Sequence, residues 1–119
     1  MQKGYLTVEN GGKLNNYQII KLKGEFDLNE VNYFEKNIEE ILKETVKYVI
    51  LDVTDLEYLD SSGIGCIVRL YRDTEEKRSG KLIIYNPPSF IQELFQISNL
   101  HSFLSITSDE KELEQLSKS

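Results

Sequence analysis

The chain has 119 residues, 39% of them hydrophobic and 29% charged, which predicts one domain over residues 1–119 with one modest core and excludes a disordered or fibrous chain. Its 14 Lys and Arg against 20 Asp and Glu give a net charge of −6. A negative chain repels phosphate backbones and anionic lipid surfaces, so we expect no direct nucleic-acid binding and no membrane insertion.

The first third of the chain predicts a β-hairpin followed by a helix. Polar and apolar residues alternate in 5–9 and 17–23, and Asn10-Gly11-Gly12 between them favours a turn. A helix is predicted over Leu28 to Glu44, with Asn29 as its cap. Its apolar residues at helical spacing are Val31, Phe34, Ile38, Ile41 and Leu42.

The middle of the chain predicts a strand, a loop and a second helix. Tyr48 to Leu51 is a continuous apolar run, typical of a strand buried on both faces of a partly parallel sheet. A loop is then expected up to Asp60, and Ser61-Ser62-Gly63 begins a helix that ends near Arg78 and Gly80. Its apolar stripe consists of Ile64, Ile67, Val68 and Tyr71.

The last third predicts two further strands and two further helices. The segment 82–85 is another buried strand, and Pro87-Pro88-Ser89 begins a third helix. Phe103 to Ile106 is a short strand, and Ser108 is expected to cap a final helix. The order ββαβαβαβα predicts an α/β fold, a mixed sheet of four to five strands with about four helices. In it, Tyr48 to Leu51 and Lys81 to Tyr85 are expected to be parallel neighbours.

The segment from Tyr58 to Gly65 stands where the chain enters the second helix. Such a position favours an anion, because free N–H groups and the positive end of the helix dipole meet there. A phosphate on Ser61 or Ser62 could therefore be held locally. The alternative is that one serine only caps the helix and the two glycines only allow the turn.

Two motifs give the chain a family resemblance. Gly24-Glu25-Phe26-Asp27 follows the early strands, and Asp60-Ser61-Ser62-Gly63-Ile64-Gly65 precedes the second helix. Together with the order of elements they resemble the STAS domain of bacterial anti-sigma factor antagonists, over about residues 6–116. The chain departs from the family pattern where Phe26 and Ile64 replace leucines and where Pro87-Pro88 doubles a proline that is commonly single.

The resemblance implies a phosphorylation switch. In that family the first serine after the aspartate is phosphorylated by a partner that is both serine protein kinase and anti-sigma factor, which points to Ser61. The unphosphorylated form would bind this partner and release a sigma factor, and a serine phosphatase would reset the switch. The residues expected to contact the partner are Asp27, Asp60, Ser62, Gly63 and Ile64.

Enzymatic and cofactor-dependent chemistries have weaker support. A receiver domain could use Asp52, but the acidic pair and the lysine that it needs are missing, so Asp52 is expected to be structural. A hydrolase built on Ser61 and His101 lacks the Gly-x-Ser-x-Gly elbow. Gly63 and Gly65 are only a fragment of a nucleotide-binding loop. We therefore expect no catalysis, no cofactor and no metal.

Two further expectations concern location and surface. A single Cys excludes an intrachain disulfide, and the first twelve residues lack the apolar core of a signal peptide, so a cytoplasmic protein is expected. Tyr33 and Tyr58 are the tyrosines expected to be exposed at a partner face. The alternative to a switch is a constitutive STAS interaction subunit of a transporter or a signalling assembly, in which Ser61 need not be phosphorylated.

Overall fold

A computed structural model describes residues 5–118. Residues 1–4 and Ser119, which the predicted domain 1–119 and the signal-peptide argument include, lie outside the described residues. The strands are β1 Thr7–Leu14, β2 Tyr17–Phe26, β3 Tyr48–Leu59, β4 Lys81–Tyr85 and β5 Ser105–Thr107. The α-helices are α1 Val31–Ile41, α2 Ser61–Tyr71, α3 Ser89–Ile97 and α4 Glu110–Ser117. The predicted order ββαβαβαβα is confirmed.

The sheet is mixed and has the strand order β1-β2-β3-β4-β5. β1 and β2 form an antiparallel hairpin, and the remaining neighbours pair in parallel. β3 and β4 pair from Tyr48 with Lys81 to Asp52 with Tyr85. The predicted parallel neighbours are therefore confirmed, and α2 lies in the connection between them.

Three helices cover one face of the sheet and one helix covers part of the other. Buried side chains of α1, α2 and α3, including Phe34, Ile67 and Phe95, belong to one core cluster with β2, β3 and β4. On the opposite face, Leu113 of α4 belongs to a smaller cluster whose other buried members are Tyr17, Ile50 and Ile83. Alternation along the buried strands separates the two clusters, because successive side chains point to opposite faces.

The predicted hairpin turn is wrong in position. β1 continues through Gly11 and Gly12, and the turn lies at Asn15 and Asn16, where Asn15 has a φ of 54°. A register shift between Asn10 and Lys13 accommodates the glycines within the strand. The Gln18 side-chain amide donates to Asn10 Oδ1 at 2.7 Å and to the Gly12 carbonyl at 3.1 Å. These hydrogen bonds stabilise a bulge where the sequence indicated a turn.

The predicted loop before Asp60 is also wrong, because β3 continues to Leu59. Two register shifts against β2 each give β3 one extra residue. Beyond Asp52 the buried residues of β3 are Val53, Leu56 and Leu59, every third residue instead of every second. Asp52 lies within this strand, and its carboxylate accepts hydrogen bonds from the backbone N–H (3.0 Å) and the hydroxyl (2.6 Å) of Thr54, as expected of a structural residue.

Several predicted helix and strand ends differ from the observed ones. Asn29 does not cap α1, because a 3₁₀ turn over Leu28–Glu30 precedes it and is capped by the side chain of Asp27. The second helix is regular only to Tyr71 and continues as a π-helical turn, Arg72–Lys77. The final strand begins two residues later than predicted, and Asp109, not Ser108, caps α4.

Candidate functional site

The candidate site lies where two neighbouring parallel strands end. Phe26 and Leu59, the last residues of β2 and β3, are paired, and the Asp60 N–H donates to the Phe26 carbonyl at 3.3 Å. Asp27 and Asp60 follow these strands directly. The fold therefore brings together the two aspartates of the two motifs, which are far apart in the sequence.

Both aspartates accept hydrogen bonds from the helical turns that follow them. Asp27 Oδ1 accepts the Asn29 N–H at 2.9 Å. Asp60 Oδ1 accepts the Ser62 N–H at 2.9 Å and the Gly63 N–H at 3.1 Å, at the N-terminus of α2. The alternative that a serine caps this helix is therefore wrong, because the Asp60 carboxylate occupies that position.

Ser61 is the first residue of α2 and its side chain is exposed, whereas Ser62 is half-buried. Since Asp60 already accepts two of the N–H groups at this helix end, a phosphate on Ser61 would compete with a carboxylate for them. The expectation that the helix N-terminus holds a phosphate on Ser61 or Ser62 locally stays a prediction.

Gly63 is buried beneath the start of α2. A Cβ atom at this position would lie 2.5 Å from Leu59 Cδ1 and 3.0 Å from the Phe26 carbonyl oxygen. The absence of a side chain thus allows the helix to pack directly on the ends of β2 and β3. Ile64, the next residue, is half-buried against the main core. Direct contact of Gly63 and Ile64 with a partner stays a prediction, and the structure adds a packing role for both.

An acidic groove lies beside Ser61, with a volume of about 590 Å³. Its acidic residues are Glu25, Asp27, Glu57 and Asp60. Leu28, which is 69% exposed, and Tyr58, which is 48% exposed, also line it. Sequence reasoning did not place Glu25, Glu57 or Leu28 here, because their proximity depends on the register in which Glu25 pairs with Tyr58.

The other candidates from the sequence have ordinary structural environments. Tyr58 is exposed as expected, and so is Tyr33, at 41%, although its hydroxyl accepts the Val8 N–H at 3.3 Å. Cys66 is buried, and burial raises the pKa of its thiol from 9.0 to about 11. His101 Nδ1 lies 3.5 Å from the Phe95 carbonyl oxygen. Among residues 5–118, no group of three or more His, Cys, Asp or Glu could hold a metal ion.

Comparison with known proteins identifies the family. A family model described as the STAS domain matches residues 12–113, so the chain belongs to the STAS domain family. An "Anti-sigma F factor antagonist" of Lysinibacillus sphaericus is 28% identical over 99 residues, which cover 82% of this chain and 84% of that protein. The family named from the two sequence motifs is therefore confirmed.

Solved structures share the fold. An anti-sigma factor antagonist from Mycobacterium paratuberculosis superposes with a TM-score of 0.83 at 13% identity, covering 98% of this chain and 97% of that one. The Bacillus cell fate determinant SpoIIAA in its phosphorylated form gives a TM-score of 0.67 at 23% identity, covering 94% of this chain and 99% of that one. Both confirm the predicted STAS-like α/β fold. Within the described part of the chain, no helix has the length and apolar character needed to cross a membrane.

Proposed function

We propose that this protein is an anti-sigma factor antagonist, a binding protein without catalytic activity, whose affinity for an anti-sigma factor is switched by phosphorylation of Ser61. The observation that carries the proposal is the exposed Ser61 hydroxyl at the start of α2, next to an aspartate that already caps the helix. The name of the Lysinibacillus relative supports the same partner class. The phosphorylated form described for SpoIIAA supports phosphorylation as the signal.

The partner surface in this proposal surrounds Ser61. It consists of Asp27, Asp60, Ser62, Gly63 and Ile64, predicted from the sequence, together with Leu28 and Tyr58. Leu28 and Tyr58 provide exposed apolar area beside the serine. Asp27 and Asp60 provide negative charge that the partner must match with donors or cations.

The switch acts through charge at the centre of this surface. A phosphate adds about −1.5 to −2 charges at pH 7. Asp60 already takes two N–H groups of α2, and three further carboxylates line the adjacent groove, so these neighbours offer the phosphate no compensating cation. An unpaired charge that loses water on binding costs several kcal/mol, and about 1.4 kcal/mol already changes affinity tenfold.

The proposal also names the enzymes that phosphorylate and dephosphorylate Ser61. The anti-sigma partner is expected to be the serine protein kinase itself, and a separate serine phosphatase resets Ser61. Both are protein partners acting on an exposed residue, in a soluble protein of the cytoplasm. No cofactor of this chain is required for either reaction, since the kinase brings the nucleotide.

The experiment compares four proteins by calorimetry against the anti-sigma factor with nucleotide present. Ser61→Asp should bind at least tenfold more weakly than wild type, and Ser61→Ala should bind nearly as well, because it adds no charge. Ser108→Asp is the matched control, since it adds the same charge at an exposed serine before α4. Incubation with kinase and ATP should add one phosphate to wild type and to Ser62→Ala, and none to Ser61→Ala.

Two results would contradict the proposal in different ways. Equal affinity of wild type, Ser61→Ala and Ser61→Asp would remove the charge switch and favour a constitutive interaction subunit. Phosphate incorporation that persists in Ser61→Ala would remove the assignment of the phosphorylated residue.

A further inference from the structure

Ser61 begins a row of residues along one face of α2. Ser61, Gly65 and Arg69 follow one another at intervals of four residues, so each lies one turn beyond the last on the same face of the helix. Gly65, in the middle of the row, has no side chain. Apart from its chain neighbours and the helix backbone, the nearest atom that a Cβ on Gly65 would meet is Arg69 Nη1, at 3.7 Å. Space is therefore open between the serine and the arginine.

The Arg69 side chain extends back along this row towards the N-terminus of α2, as long side chains in helices generally do. Its Nη1 atom has come back one turn, to Gly65, so about 5 Å along the helix axis separates it from the level of Ser61. A phosphate lengthens the serine side chain and adds three acceptor oxygens. A phosphate on Ser61 that turns back over Gly65 therefore comes within reach of the guanidinium.

Arg69 has two weak partners that a phosphate can replace. Its Nε donates to Glu35 Oε2 on α1 at 3.3 Å, and its Nη2 donates to Cys66 Sγ at 3.2 Å. A thiol sulfur is a weak acceptor. The side chains of Arg69 and Glu35 are 56% and 48% exposed, and an ion pair so open to water is weak. A phosphate carries more charge and more acceptor oxygens than the Glu35 carboxylate, so it competes well for the guanidinium.

Other cations of this part of the chain are farther from the serine or bound elsewhere. Arg72 lies three residues beyond Arg69, almost one more turn from Ser61. Arg78 Nε pairs with Asp73 Oδ2 at 2.9 Å, beyond the end of α2. The charged residues that line the acidic groove on the other side are all carboxylates. Arg69 is therefore the cation best placed to meet a phosphate on Ser61.

We propose that Arg69 binds the phosphate on Ser61, and that phosphorylation moves its guanidinium from Glu35 to the phosphate oxygens. This proposal rests on the proposed function, because it requires a phosphate on Ser61. The exchange breaks an ion pair between α1 and α2. It leaves the charge switch intact, since Glu35 loses the cation that the phosphate gains and the surface still acquires the whole charge of the phosphate.

The test is a pH titration by phosphorus NMR of protein that carries phosphoserine at position 61, introduced during translation so that no kinase is needed. A cation beside the phosphate favours its doubly charged form and lowers its second pKa, which is about 6 in free phosphoserine. Arg69→Gln should therefore raise this pKa by about 0.5. Arg72→Gln is the matched control, because it removes the same charge from an exposed residue farther along α2 and should change the pKa by less than about 0.2.

The competing carboxylate gives a second measurement in the same titration. Glu35→Gln removes the ion-pair partner of Arg69 and should lower the phosphate pKa, because the guanidinium becomes free to bind the phosphate. Glu39→Gln is its control, since it makes the same change at an exposed position one turn farther along α1 and should lower the pKa less. When Arg69 is already glutamine, the effect of Glu35→Gln should shrink to that of Glu39→Gln.

Nitrogen NMR of the arginine side chains locates the contact. The Nε–H signal of Arg69 should move when phosphoserine is present, and that of Arg72 should not. Equal phosphate pKa values in wild type and Arg69→Gln, equal changes in Arg69→Gln and Arg72→Gln, or an unmoved Arg69 signal would overturn the proposal. These results leave the proposed function standing, which fails instead if the kinase does not phosphorylate Ser61 or if the phosphate does not change the affinity for the anti-sigma factor.

Discussion

Gly63 and Leu59 are so close at the base of α2 that a Cβ atom on Gly63 would lie 2.5 Å from Leu59 Cδ1. The Phe26 carbonyl oxygen would be 3.0 Å from the same atom, so the helix and the two strand ends could not all keep their places. The position of Ser61, two residues earlier, therefore depends on a glycine at 63.

The two glycines of the motif should respond in opposite directions to alanine. Gly63→Ala forces the strand ends and the helix apart and should lower the free energy of unfolding by about 1–3 kcal/mol. Gly65→Ala meets only Arg69 Nη1 at 3.7 Å and should raise the free energy of unfolding by about 0.5–1 kcal/mol, because alanine restricts the unfolded chain. Urea denaturation of both variants checks this, and equal effects would contradict the packing role of Gly63.

The capping role of Asp60 gives a second stability prediction. Asp60→Ala removes the acceptor of the Ser62 and Gly63 N–H groups and should cost about 0.5–2 kcal/mol. Asp60→Asn keeps an acceptor oxygen and should stay within a few tenths of a kcal/mol of wild type. If thermal unfolding shows that Asp60→Asn loses as much stability as Asp60→Ala, then Asp60 stabilises the helix through its charge and not through capping.

Alanine substitutions at Ile67 in the core and at Ser61 in the site should have very different effects on the free energy of unfolding. Ile67 is fully buried in the cluster between α2 and the sheet, so Ile67→Ala should cost about 2–5 kcal/mol through the cavity it leaves. Ser61 is exposed and does not cap α2, so Ser61→Ala should change the free energy of unfolding by less than about 0.5 kcal/mol. A large loss of stability in Ser61→Ala would mean that the serine is structural.

The buried thiol predicts a loss of stability in alkaline solution. Burial is the main cause that raises the pKa of Cys66 from 9.0 to about 11, against the nearby Arg69, which lowers it. Between pH 9 and 11 the folded chain keeps a proton that the unfolded chain releases. The contribution of Cys66 is therefore fully present below pH 9 and is lost as the pH rises to 11.

Denaturation of wild type and Cys66→Ala across this pH range isolates the thiol. The stability of wild type should fall more steeply with pH than that of the variant. Burial also raises the pKa of Tyr17 and Tyr85, but both tyrosines remain in the two proteins and cancel in the comparison. Parallel pH dependences would show that Cys66 keeps an ordinary pKa in the folded chain.

Exposed apolar residues near Ser61 give a prediction on binding. Leu28→Ser and Tyr58→Ser should each weaken binding to the anti-sigma factor about tenfold or more while leaving the melting temperature nearly unchanged, because both side chains are largely exposed in the free protein. Ile97→Ser is the control, since Ile97 is 83% exposed at the far end of α3. Calorimetry that finds Ile97→Ser as damaging as the other two would contradict the proposed partner surface.

The fold was predictable from spacing, because apolar residues recur every second residue in β2 and at helical intervals in α1 and α2. The second half of β3 was not, since its two bulges place Val53, Leu56 and Leu59 inward at intervals of three. That spacing lacks the period of two that indicates a strand. The second half of β3 is a strand because it pairs with β2, and this pairing is not visible in the local sequence.

The site was predictable only in part. Ser61, Asp60 and Asp27 follow from the two motifs, but which oxygen caps α2 depends on side-chain geometry that a run of Asp-Ser-Ser leaves open. Glu25 and Glu57 reach the groove through the parallel register of β2 and β3. Residues that meet across strands leave no local pattern in either strand.

The length of β3 sets how far the serine stands from the centre of the molecule. Asp52 is the last residue of β3 that pairs with β4, and β3 runs seven residues beyond it with only β2 beside it, an arm of about 20 Å. Losing one residue from this arm would draw Ser61 inward by about 3 Å and turn Leu56 or Leu59 outward. We therefore expect related chains to change length here only when a bulge is gained or lost with it, whereas the ends of β4 and β5 are free to lengthen without moving the serine.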